Sequence, residues 1–179
     1  MVGAPRSRHD RPGAPVPPDV WSDALTEQRA QAWGRELRTV HQRLRDALEV
    51  TREAVTEGGR AESVSRDLRL FCLGFCTALN GHHTSEDSAL FPLVLELRPD
   101  LAPVIAQLKQ DHSMIEYLIA GLEKAVDSGD GTEEQLRHLD GIEAVMETHF
   151  RYEEKQIIGV LDGLTAEGLD KRTLLGPLA

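Results

Sequence analysis

Between Arg69 and Arg98 the chain has no lysine or arginine, yet a histidine and a glutamate interrupt an apolar seam in the middle of that stretch. Leu68, Phe71, Phe75 and Leu79 recur in steps of three and four, the stride of one helix face, and His82 and Glu86 continue it. A seam of this kind points into a core. A carboxylate placed there demands a partner, because an unpaired buried charge costs several kcal/mol. With no lysine or arginine nearby, the partner has to come from another segment. The chain must therefore fold so that polar groups from elsewhere reach the level of His82 and Glu86.

Three further segments repeat the pattern. From Asp19 to Glu57 there is no proline, and Leu37, His41, Leu44, Leu48 and Val55 share one face of a predicted helix that Gly58-Gly59-Arg60 ends. The helix with His82 and Glu86 is expected from Ala61 to Ser88. Pro92 lacks an N–H, so a kink or stop is expected near Ala89–Phe91, then a short turn over Leu93–Leu97. Asp100 is the expected N-cap of a third helix, with Pro103 in its first turn. That helix shows Ile105, Leu108, His112, Ile115, Ile119, Leu122 and Val126, and Ser128-Gly129-Asp130-Gly131 closes it. Thr132 and Gln135 have capping-box spacing. They open a fourth helix with the seam Leu139, Ile142, Met146, His149, Glu153, Ile157 and Val160, stopping at Gly163.

Residues 1–18 hold five of the nine prolines and read as a disordered Pro/Arg-rich tail. Residues 19–165 read as one domain, and 166–179 as a C-terminal extension with room for a short helix. No strand-like alternation or fixed repeat occurs. Four long helices joined by short loops predict an all-α, up-down-up-down antiparallel four-helix bundle.

Each seam carries one histidine: His41, His82, His112 and His149. His112 lies sixteen residues before Ser128 and His149 seventeen after Thr132, so both stand ~25 Å from their shared end. His41 and His82 agree to within about one turn. One layer of the core is thus expected to hold four imidazoles, with Glu86 beside His82 and Glu153 one turn from His149. Six polar groups satisfying only one another would be costly. Imidazoles and carboxylates are ligands for iron, manganese and zinc. Six of them suit two ions sharing carboxylates better than one tetrahedral ion.

Composition narrows the function. Twenty basic against thirty acidic residues give a formal charge of −10, which argues against nucleic acid or an anionic membrane as partner. No run approaches the ~18–20 apolar residues of a membrane span, and none in the first twenty residues resembles a signal peptide. Two cysteines four residues apart build no disulfide framework, so the cytosol is the expected compartment.

The order His41, then His82-His83-Thr84-Ser85-Glu86, then Asp111-His112, then His149-Phe150-Arg151-Tyr152-Glu153 resembles the hemerythrin-like (HHE cation-binding) domain family. Glu86-Asp87-Ser88-Ala89-Leu90-Phe91-Pro92 and Glu153-Glu154 fit the same pattern, and the resemblance covers about residues 25–165. Family members are type examples of the up-down bundle, so this topology is not independent of the resemblance. Ferritin-like di-iron proteins instead use Glu-x-x-His, which occurs nowhere in this chain. The resemblance implies one iron on His41 and His82, a second on His112 and His149, and Glu86 and Glu153 bridging them. Manganese and zinc are compatible alternatives. Oxygen carriers of the family have a further histidine where this chain has Glu116, and their last carboxylate lies at the position of Glu154. Here the seam favours Glu153. Such a carboxylate-richer set implies a non-heme di-iron protein acting on or binding O2, peroxide or NO, as an oxidoreductase that breaks down peroxide rather than a reversible O2 carrier. The alternatives are a non-catalytic iron or oxygen sensor, and an O2-dependent enzyme acting on an organic substrate.

The neighbours carry weaker expectations. His83 and Asp87 repeat the four-residue spacing one position along, about 100° off the seam, and are expected at a flank or on the surface. Glu116 stands evenly between an additional ligand or a group supporting one, and a solvated face. Asp111 is weighted toward the helix surface over orienting an imidazole. Cys72 and Cys76 are expected to pack beside the seam, and Tyr117 and Tyr152 to sit at the core edge.

Overall fold

The computed structural model describes the backbone of residues 18–58, 65–164 and 170–179, and the side chains of 33–57, 70–164 and 170–179. Every regular element among them is helical. In chain order these are α1 (Pro18–Gly58), α2 (Ser65–Ser85), a π turn (Glu86–Leu90), α3 (Phe91–Leu97), a 3₁₀ turn (Pro99–Leu101), α4 (Ala102–Ser128), α5 (Thr132–Leu161) and α6 (Lys171–Leu175). The expected tail lies outside the described residues except for Pro18, as do the expected start of the second helix at Ala61 and residues 165–169 of the C-terminal segment.

The four long helices close a ring. α1 packs on α2 and α5, and α4 packs on α2 and α5. The seams explain the ring, because each long helix buries its periodic apolar stripe: Leu37, Leu44 and Leu48 on α1, Phe75 and Leu79 on α2, Ile115, Ile119 and Leu122 on α4, Leu139, Ile142 and Met146 on α5. Between α1 and α5, Arg45 pairs with Glu147, and Arg52 with Asp140 and Glu143, both at 2.6 Å.

Several local expectations need correction. On α2 the buried stripe is rotated from the expected one: Phe71 is 43% exposed, while Cys72 and Cys76 are buried. The helical path is not interrupted near Ala89–Phe91. The α-helix instead widens at Glu86, and the Phe91 N–H reaches back five residues to the Glu86 carbonyl. Widening lets the chain pass Pro92, which stands in the first turn of α3 where a missing N–H costs nothing. Asp100 does not cap α4. Its carboxylate takes two bonds from Arg98, and Leu101 is the N-cap. The capping box is absent as well: Gly131 is the N-cap of α5, and the Gln135 amide donates to the Asp130 carbonyl. α4 ends as its glycines imply. Gly129 takes φ +71°, its N–H bonds Val126, and the Asp130 N–H bonds Ala125, which is the Schellman pattern.

The C-terminal extension does form a helix, and it is a strap across the bundle. Asp170 caps α6 by accepting from the Thr173 N–H at 2.9 Å. Leu174 and Leu175 are buried, Lys171 pairs with Glu36, and Arg43 donates to the Leu178 carbonyl. α6 lies on α2 and the π turn. Gly176 makes this possible. Its φ of +86° and ψ of −167° belong to a region open essentially to glycine alone, and a Cβ there would stand 2.7 Å from the His82 Cα. Gly176→Ala is therefore expected to cost at least ~1–2 kcal/mol, lowering the melting midpoint by at least ~3 °C. Gly159→Ala, mid-helix in open space, should raise stability by about 0.5–1 kcal/mol. Thermal unfolding of both variants checks this; equal midpoints would refute the close approach.

Candidate metal centre

The seam residues do meet. His41 on α1, His82 at the end of α2, Glu86 opening the π turn and Glu153 on α5 are each 0% exposed. Ligand-type atoms of these four lie within 4.8 Å of one another. His112 on α4 and His149 on α5 are buried beside them, and with His83 they form a second such group.

The carboxylates face both groups. Glu86 Oε1 stands 3.2 Å from His82 Nε2, and its Oε2 stands 3.4 Å from His112 Nε2. Glu153 Oε2 stands 3.1 Å from His41 Nε2 and 3.8 Å from His149 Nε2. These approaches are close but not aligned as hydrogen bonds. His41 Nε2, His82 Nε2 and all four carboxylate oxygens remain without a hydrogen-bond partner despite full burial. Buried polar atoms are ordinarily paired. Atoms that converge in this way without bonding one another fit a cation set among them, and the donor types suit iron, manganese or zinc.

The outward ring nitrogens are mostly anchored. His41 Nδ1 lies 2.8 Å from Glu154 Oε1, His82 Nδ1 2.9 Å from the Leu175 carbonyl, and His112 Nδ1 3.1 Å from Asp87 Oδ1. Each anchor accepts the Nδ1 proton and so turns the Nε2 lone pair inward, as metal-binding imidazoles require. His149 Nδ1 faces Asp111 at 3.6 Å, too far for a hydrogen bond. Phe150 stacks on His41 at 3.9 Å, and the Arg45 guanidinium lies 5.3 Å above Phe150. That stack holds the His41 ring by its face, while Glu154 holds it by its edge.

His83, expected at a flank or on the surface, is instead buried, with its ring stacked on His112 at 4.0 Å. Asp87 does sit at the flank, half-buried, with its carboxylate against His112. The missed signal was the thiols. Cys72, Cys76, Leu79, His83 and Glu86 keep a four-three-four-three stride, so anchoring the stripe on the cysteines rather than on Phe71 carries it through His83. Glu116 is exposed and outside both groups. Glu154 anchors His41 from outside, Tyr117 is 74% exposed, and Tyr152 is partly buried at the core edge. Burial pushes the Cys72 thiol up to about 11 and the Cys76 thiol to about 12, which suits packing rather than reactivity.

The charges explain how the folded chain tolerates this layer without a cation. Burial, then the neighbouring Glu153, hold Glu86 well above the carboxylate range, so it carries a proton. Burial works to raise Glu153 too, but the adjacent His41 and the other imidazoles bring it down to about 2. Burial alone would lower His41, yet Glu153 and Glu154 outweigh it and hold it above its ordinary value. Burial and neighbouring imidazoles depress His82 and His112 to about 3, and hold His83 and His149 low.

The hemerythrin HHE cation binding domain matches residues 35–161. The chain belongs to that family of metal-binding domains. No curated protein and no solved structure matches it significantly. Among the described residues no helix is long and apolar enough to cross a membrane.

A pH dependence follows for the metal-free protein. His82, His83, His112 and His149 titrate lower when folded than their ordinary 6.5, so below that value the unfolded chain binds more protons and stability falls with acid. His41, Glu86 and Asp87, raised in the folded state, oppose this, since their contribution is lost as pH rises. Four groups outweigh three. The melting midpoint of chelated protein should drop by at least ~3 °C between pH 7 and pH 5, one net group over one pH unit being worth ~1.4 kcal/mol. A midpoint that holds or rises would contradict the buried neutral imidazoles.

Proposed function

We propose that this chain is a non-heme di-iron protein that acts on or binds O2, peroxide or NO, with peroxide breakdown favoured over reversible O2 carriage. The observation that carries the reading is the pair of carboxylates facing both imidazole groups: Glu86 between His82 and His112, Glu153 between His41 and His149. One ion would be held by His41 and His82 and the other by His112 and His149, with Glu86 and Glu153 shared. Iron there supplies a Lewis acid and an electron reservoir. The chain's own part is to orient the rings through Glu154, Leu175 and Asp87, and to hold the two carboxylates in a dry layer. Anionic oxygen donors favour the ferric state, which supports breakdown over carriage.

The bundle is proposed to run up-down-up-down. Supporting this, residues paired between α1 and α5 advance in one helix as they retreat in the other, from Arg38 with Glu154 to Arg52 with Asp140. Residues 19–165 are proposed as the domain. The two unpaired thiols suit a reducing cytosol.

Metal analysis of protein purified after growth with iron should give about two irons per chain, and the loaded protein should consume hydrogen peroxide faster than the same amount of free iron. One tightly held zinc without iron, or no turnover above free iron, would overturn the reading. Stability gives a second measurement. A ligand at a hundredfold excess over its Kd adds ~2.7 kcal/mol, so chelation should lower the melting midpoint by at least ~5 °C. Glu86→Ala should abolish most of that increment, and Glu123→Ala, on the exposed face of α4, should leave it intact.

A further inference from the structure

A pocket of about 250 Å³ opens between α2 and α4, lined by Asn80, His83, Thr84 and Asp87 on one side and His112, Ser113 and Glu116 on the other. Its floor is the metal centre, since His83 and His112 belong also to the buried histidine group. Three larger pockets, between α4 and α5 at Tyr117 and His138, between α1 and α2 at Val50 and Phe71, and along α1 at Arg38 and Gln42, share no residue with either group.

His83 is the buried residue of this pocket that has no assigned task. It is 5% exposed, and its Nε2 is buried with no hydrogen-bond partner. His83, His112 and His149 have ring nitrogens near enough to share an ion, but the His83 and His112 rings stack 4.0 Å apart with their planes 11° from parallel. An imidazole lone pair lies in its ring plane, and planes so nearly parallel do not meet within coordinating distance. What remains for the ring is a hydrogen bond to something small. The rest of the lining says what kind of molecule. An amide, two hydroxyls and two carboxylates reward a hydrogen-bonding ligand and offer little to O2 or NO. Asp87 and Glu116 repel anions, and among the described residues the cation paired with Asp87 is Lys109, at 3.8 Å.

We propose that this pocket is the access port of the metal centre for a small, neutral, hydrogen-bonding ligand of the hydrogen peroxide class, and that His83 receives the ligand at its inner end. The inference rests on the metal-site reading above and narrows its ligand from three candidates to one. O2 and NO, being apolar, gain nothing from this route.

The test uses the full chain loaded with iron, reduced without air and mixed rapidly with hydrogen peroxide or, separately, with O2. The rise of ferric absorption is followed. Each peroxide takes one electron from each of two ferrous ions and, with two protons, leaves as two waters. Ser113→Phe fills the pocket from an exposed position, so folding is not at stake. His83→Phe keeps the stack and removes the hydrogen bond. Both should slow the peroxide reaction tenfold or more, while iron content and the O2 reaction stay within twofold of wild type. Peroxide rates within twofold of wild type in both variants, or equal slowing with both oxidants, would overturn the port. Loss of steady-state peroxide turnover alone would sink the functional reading, because the single oxidation still reports on access. If the chain holds no iron, imidazole ¹H–¹⁵N spectra of metal-free protein decide. His83 signals should shift with added peroxide in wild type and not in Ser113→Phe; no shift in wild type refutes the proposal.

Discussion

Glu86 and Glu153 are carboxylates with no solvent contact, and the structure around them is arranged to make that tolerable. Burying one carboxylate costs several kcal/mol, and burying two side by side adds their repulsion. Without a cation the chain resolves the conflict by protonating one and leaning the other on His41. This is a stalemate rather than a satisfied network, because both carboxylates keep unpaired oxygens. Cations bound among these groups would remove the repulsion and the unpaired atoms together. The cost of burial and the capacity to bind metal are thus the same physical fact.

The backbone around the site bends to serve it. The π turn begins at Glu86 itself, and π turns of this kind concentrate at functional positions. It lets α2 carry a buried histidine pair and a buried glutamate and still deliver Leu90, Phe91 and Val94 to the core. The C-terminal strap reaches the same layer from the far end of the chain. Its Leu175 carbonyl anchors His82, and Gly176 passes against the His82 backbone where no side chain fits. His41 and His112 are anchored by carboxylates, whereas His82 leans on a neutral carbonyl. A carboxylate raises the basicity of the imidazole it anchors more than a carbonyl does. The two imidazoles proposed for one ion, His41 and His82, are therefore not electronically equivalent.

The sequence by itself determined the four amphipathic seams, because helical periodicity is written in residues three and four apart. It also determined that His41, His82, His112 and His149 share one level with Glu86 and Glu153, because rise per residue converts spacing into height. The seam alone also indicated that Glu153 rather than Glu154 is the buried one of the pair. Rotation about a helix axis was less legible. Phe71 looked like the better hydrophobe than Cys72, yet the bundle buries the thiol and leaves the ring half out. Burial thus extends to the cysteine side of the seam, which takes His83 into the core beside His112 and leaves Asp87 at its edge. Neither Asp100 nor Thr132 caps its helix, because each has a local alternative, an arginine two positions away and a glycine one position back. Only the tertiary structure could decide which backbone carbonyl holds His82, since its donor and acceptor lie 93 residues apart and no periodicity links them. It alone also placed a polar pocket against His83, because a cavity is made by two helices meeting and is written in neither.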